Sequence, residues 1–152
     1  MEKKKRRKLS IGRRELVDFP DLELLEIEAK IDTGAFTSAL HCSNIQETEI
    51  DGLPAISVEF LDPTHQSYNH KQLIFRRFEI RDIRSSFGDV QERYVIKTRI
   101  RLFNRDIEAE FSLSDRSDMR YPVLIGRSLL RGNFVVDVSK KNISLRTKNK
   151  AT

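Results

Sequence analysis

Lys30-Ile31-Asp32-Thr33-Gly34-Ala35 joins the end of an alternating segment to a turn. Before it, Ile27, Ala29 and Ile31 alternate with Glu28 and Lys30, the period of two expected of a strand with one buried face. The strand runs into a carboxylate, a hydroxyl and a glycine. A carboxyl at the end of a buried strand is costly without partners, because desolvation favours its neutral form; it is therefore a candidate for proton transfer. Gly34 permits a sharp turn and a close approach by another chain or a substrate, and the Thr33 hydroxyl can bond locally or across an interface. An Asp-Thr-Gly triplet arises by chance in roughly 3 of 100 chains of this length, and Asp and Gly are common turn residues. Its surroundings must decide its meaning.

Outward from this turn the period of two persists. Ile50, the turn signal Asp51-Gly52, and Ile56, Val58 and Phe60 read as strand, turn and strand. Tyr94, Ile96, Thr98, Ile100 and Leu102 line one face of a long strand, and Ile107, Ala109, Phe111 and Leu113 return after a turn expected at Asn104-Arg105. Phe134, Val136 and Val138 alternate, and Ile143 and Leu145 are expected to answer them as a strand after a polar turn. One short helix is expected at Arg127 to Arg131, closed by Gly132. Many short strands and little helix predict an all-β closed barrel. The expected organisation is a disordered basic tail over 1–12, a single domain over 13–146 and a basic tail over 147–152, with Asp62 to Lys71 as a loop.

With 152 residues and one cysteine, Cys42, the chain is long enough for one core and cannot form an internal disulfide. That fits a reducing, cytoplasmic setting. No apolar run approaches the roughly 20 residues of a membrane span, and no apolar segment follows the basic N-terminus as in an export signal. The net charge of +5 belongs to the ends: residues 9–139 carry 17 basic residues against 22 acidic ones. Nucleic acid is thus expected to interact only weakly, through basic tails.

Val123-Leu124-Ile125-Gly126-Arg127-Ser128-Leu129-Leu130, whose glycine lies ninety-four residues beyond Asp32, carries an apolar strand into that glycine and a short helix. Together, the Ile-Asp-Thr-Gly-Ala turn and this segment resemble the retropepsins, the single-domain aspartic proteases of retroviral type. Thr37 to His41, Arg81 to Ser86 with Gly88, Arg93 to Ile96, and Arg116 with Met119 and Pro122 narrow the resemblance. They are similar to the bacterial retropepsin-like branch that goes by the label ATP-dependent zinc protease. The similarity runs from about Arg13 to Val138.

The resemblance implies a retropepsin-like acid-protease barrel and an aspartic peptidase with Asp32 as the catalytic acid. Two carboxyls sharing a proton are needed: one activates water and the other donates to the substrate carbonyl. One Asp-Thr-Gly per chain then implies a homodimer with an Asp32 from each subunit. Thr33, Gly34, Ala35, Gly126 and Arg127 would support the active site, and Gly126-Arg127 would pack beneath its loop. This chain departs from the retroviral pattern in carrying Phe36, where an acid usually pairs with the later arginine, so Arg127 needs another partner. The longer spacing also makes residues 62–87 an insertion or a reworked flap.

The zinc and ATP of the label find little support in the residues. His41, Cys42, His65 and His70 form no H-E-x-x-H or paired C-x-x-C pattern, and no glycine-rich phosphate loop is present, so neither cofactor is expected. The stretch Arg76 to Arg105 holds nine basic residues against four acidic ones. As a solvated outer face it needs no ligand; as a groove it would take an acidic peptide, since arginine pairs with carboxylates through two bonds. Lys30, Thr37, His41, Arg93, Arg99, Arg101 and Arg116 are the candidate substrate contacts. The branch is associated with ATP-grasp ligases that add glutamate to proteins, which makes a glutamylated substrate and a functional link to such a ligase expectations of the same resemblance. Two other readings stay open: a peptide- or partner-binding module on the same fold that does not cut, and a metal-dependent hydrolase using His41.

Overall fold

The computed structural model describes residues 7–115 and 120–150. The chain is mostly β, with strands β1 (Leu9–Ile11), β2 (Arg14–Phe19), β3 (Leu24–Ile31), β4 (Ser38–Ile50), β5 (Leu53–Phe60), β6 (Gln72–Phe75), β7 (Glu79–Arg84), β8 (Val90–Leu102), β9 (Arg105–Ser114), β10 (Val123–Ile125) and β11 (Phe134–Val136). Helices α1 (Arg127–Leu130) and α2 (Ile143–Lys150) and a short 3-10 helix at Pro20–Leu22 are the helical segments among the described residues. The main sheet follows the order β10-β3-β2-β8-β9-β4-β5-β6, and β10 also pairs with β4. Six strands therefore form a hydrogen-bonded ring, β10-β3-β2-β8-β9-β4, that returns to β10.

Alternation explains the ring's interior. Ile27, Ala29, Ile96, Ile100, Phe111 and Val123 all point inward and are almost fully buried, and Phe19 meets Phe111 edge to face at 5.4 Å. Such a core removes apolar surface from water at about 25 cal/mol per Å². The two hairpins β4–β5 and β8–β9 form where the alternation places them. The short strand β10 sits between β3, parallel to it, and β4, antiparallel. That position brings the glycine segment after Ile125 against the turn after Ile31.

Three expectations need correction. The β8–β9 turn is Phe103-Asn104 rather than Asn104-Arg105: both residues have positive φ, 55° and 58°, as a two-residue hairpin turn requires, and Leu102 pairs with Arg105. Packing selects this register, because Phe103 is buried with its ring 5.7 Å from that of Phe134. Residues 143–145 are helical rather than a strand. The buried carboxylate of Glu15 accepts the Ser144 N–H at 2.9 Å and the Gly12 N–H at 2.7 Å, and an anion at a helix N-terminus favours that helix. The supposed tails are also partly structured: Leu9–Ile11 pairs in parallel with Phe134–Val136, Ile11 is fully buried, and α2 extends to Lys150. Residues 1–6, 151 and 152 lie outside the described residues.

Cys42 is buried on β4, and burial first, then the nearby Asp115 charge, push its thiol up to about 12. Because the thiolate is the reactive form, native protein at pH 8 should leave a thiol reagent such as Ellman's unreacted, and unfolding in guanidinium should release one equivalent. Rapid reaction of the native protein would contradict this placement.

Candidate active site

The end of β3 is fixed from both sides. The Ile31 N–H donates to the Arg13 carbonyl at 3.0 Å and the Asp32 N–H to the Ile125 carbonyl at 2.9 Å. The chain then turns, with the Ala35 N–H reaching back to the Asp32 carbonyl at 3.3 Å. Within this turn the half-buried Asp32 carboxylate is held at both oxygens: Oδ1 accepts the Gly34 N–H at 3.0 Å, and Oδ2 accepts the Ser86 hydroxyl at 2.7 Å.

Beneath the turn lies the glycine segment. The Arg127 N–H donates to the Ala35 carbonyl and the Ser128 N–H to the Phe36 carbonyl, both at 2.9 Å, while the Gly126 N–H donates to the buried Ser38 Oγ at 3.0 Å. A side chain at Gly126 would begin 2.7 Å from the Phe36 carbonyl oxygen and 2.9 Å from that of Ala35, so only glycine allows this approach. The partner that Arg127 lacked in the sequence is also visible. Its Nη1 donates to the Thr33 carbonyl at 2.8 Å and its guanidinium lies 5.8 Å from the centre of the Phe36 ring, a cation–π contact. An aromatic and a backbone carbonyl take the role that an acid would have had.

Asp32 opens onto a cleft of about 500 Å³ lined by Lys30 and Thr37 from the turn region, Arg84 and Ser86 from the β7–β8 hairpin, Arg93 and Arg120. Lys30, Arg84, Arg93 and Arg120 supply four cations, set against Asp32, Asp89 and Asp115. Of the sequence-derived contacts, Lys30, Thr37 and Arg93 thus meet at the cleft. Arg99 and Arg101 do not line it. Arg99 binds Asp21 with two nitrogens, at 2.9 and 2.5 Å, and Arg101 binds Asp106 at 2.7 and 3.1 Å. These arginines, through hydrogen bonds first, hold the Asp21 and Asp106 carboxyls below their ordinary range.

His41 is buried and also absent from the cleft lining; its Nε2 lies 2.7 Å from Asp62 Oδ2 and its Nδ1 3.8 Å from Asp115 Oδ1. Arg116 lies outside the described residues. Among the described residues no three His, Cys, Asp or Glu side chains converge as a metal site. Sequence reading assigned no role to Ser86, Arg84 or Arg120. For Ser86 the signal was its place in the Arg81–Ser86 pattern, but contact with a residue 54 positions away depends on how the hairpin docks.

The model of the RimB-like family, described as retropepsin-like aspartic endopeptidase RimB, matches residues 10–147. The chain belongs to this family. Curated relatives include proteins named probable alpha-L-glutamate ligase from Shewanella halifaxensis, 35% identical over 88% of this chain and 29% of the relative, and from Parasynechococcus marenigrum, 34% identical over 86% and 28%. The chain therefore spans less than a third of the length of these relatives. Among solved structures, a Legionella pneumophila protein of unknown function superimposes with a TM-score of 0.66 at 25% identity, covering 91% of this chain and 99% of that one.

Gly126→Ala should place a methyl group against two backbone oxygens and cost about 1–3 kcal/mol, read as a lower urea midpoint at unchanged slope. Wild-type stability in this variant would contradict the packing of the turn on the glycine segment.

Proposed function

We propose that the protein is an aspartic endopeptidase that cuts acidic, glutamate-bearing peptides as a homodimer, with one Asp32 from each subunit. The observation that carries this reading is the Asp32 carboxylate, presented at a cleft and held at each oxygen by a separate donor. In the dyad, the ionised Asp32 takes a proton from water as the water oxygen bonds to the peptide carbonyl carbon. The protonated Asp32 donates to the carbonyl oxygen. Collapse of the tetrahedral intermediate breaks the C–N bond, and the amine leaves with a proton from the dyad. Two like charges this close cannot both ionise readily, so the pair titrates as a unit.

Three facts support an acidic substrate: the four cations of the cleft, the bidentate match of arginine to carboxylate, and the names of relatives that join glutamate. The ligase link also supports action in the cytoplasm beside an ATP-grasp enzyme. Among the described residues no helix is long and apolar enough to cross a membrane. A second reading draws on the relatives' length: where this segment is under a third of a ligase-named protein, the same cleft would hold an acidic chain without cutting it.

The test uses purified full-length protein with a glutamate-rich peptide and a neutral peptide of equal length. Cleavage of the acidic peptide is expected, and Asp32→Asn should lower it by about 10²–10⁴-fold. Random mixing of equal amounts of wild-type and Asp32→Asn subunits should leave about a quarter of the dyads intact, so activity per total protein should fall to that level rather than to a half. Binding without turnover would favour the second reading, and a linear mixing curve would contradict the shared dyad.

A further inference from the structure

The β7–β8 hairpin begins and ends far from Asp32 in sequence, yet its tip makes the shortest described hydrogen bond to that carboxylate, from Ser86 Oγ to Oδ2 at 2.7 Å. The contact is built from both sides. Gly34 leaves room for it, since a side chain there would begin 3.1 Å from Ser86 Cβ and 3.2 Å from Ser86 Oγ. The tip carries its own bracing: the Ser85 N–H donates to the Asp89 carbonyl at 2.8 Å, the Gly88 N–H to the Ser85 carbonyl at 3.0 Å, and the Phe87 N–H to Ser85 Oγ at 3.2 Å. Gly88 takes the positive φ, 90°, that closes the loop. The hydroxyl therefore arrives on a shaped turn anchored by β8, a strand of the ring.

Resting on the aspartic peptidase reading, we infer that Ser86 is a positioning residue for Asp32, delivered by the β7–β8 hairpin. A carboxylate whose Oδ1 alone was held could rotate about its Cβ–Cγ bond. Holding Oδ2 as well fixes the plane of the group and leaves an acceptor site on each oxygen for water and for the second carboxyl. A hydroxyl suits both members of a dyad, because it donates to an ionised carboxylate and accepts from a protonated one. A cation at this position could donate to the ionised form but could not accept from the protonated one. Since the donor comes from the hairpin and the acceptor from the β3–β4 turn, the half-site is complete only with the hairpin seated on Gly34.

The experiment compares wild type, Ser86→Ala and Ser86→Thr on the glutamate-rich peptide. Ser86→Ala should lower kcat about 10–100-fold, the loss of one hydrogen bond to a charged group, with KM and melting temperature unchanged, and Ser86→Thr should recover most of it. Unchanged kcat in Ser86→Ala, a rise in kcat/KM, or a loss that Thr does not recover would each overturn the inference, while Asp32→Asn in the same assay reports separately on the peptidase reading. A readout independent of turnover is amide exchange at residues 85–89. It should quicken in both Ser86→Ala and Asp32→Ala if the contact holds the tip, and stay at the wild-type rate in both if it does not.

Discussion

The structure depends on a backbone interlock between two short segments, the turn from Asp32 to Phe36 and the run from Ile125 to Ser128. Three N–H groups, those of Asp32, Arg127 and Ser128, find carbonyl acceptors across this seam, the Gly126 N–H meets the Ser38 hydroxyl just beyond it, and the lack of a side chain at Gly126 lets the two backbones meet. Because β10 sits between β3 and β4, the seam is also where the ring closes. The same contact thus completes the sheet and aims the carboxylate. Backbone donors and acceptors buried at such a seam must be paired, which leaves the turn few alternative conformations.

Charge is sorted by location rather than by total. Outside the cleft, Arg99 and Arg101 are matched by Asp21 and Asp106, and such exposed pairs contribute little to stability. Inside it, cations outnumber acids by four to three, although the body of the chain is net acidic. Net charge does not report this sorting, and the basic stretch Arg76 to Arg105 divides between arginines paired outside the cleft and Arg84 and Arg93 inside it. The side chains that remain around Asp32 give the relevant sign.

Much of the fold was legible because alternation reports burial directly. Ile27, Ala29 and Ile31, and the facing rows of β8 and β9, read as strands and are strands. The Asp-Thr-Gly turn and the later glycine segment were legible as a pair because their chemistry, a carboxylate and a side chain that must be absent, leaves a mark in sequence. What escaped was tertiary. Residues 143–145 alternate like a strand, but a buried carboxylate from Glu15 pins their backbone into a helix. Phe103 reads as the last strand residue, yet its burial against Phe134 puts it in the turn. Arg99 and Arg101 share a face with Arg93 along β8, but their ion pairs, not their spacing, decide what they do. Ser86 became visible only once the hairpin was docked.

The central claim is that each chain carries half of a catalytic pair. The most direct measurement is a crystal structure of the assembled protein, read for the separation of the Asp32 carboxyls of neighbouring copies. The account predicts a two-fold assembly with those carboxyls about 3 Å apart, each still held by its own Gly34. Assemblies that keep every Asp32 distant from its symmetry mate would contradict it.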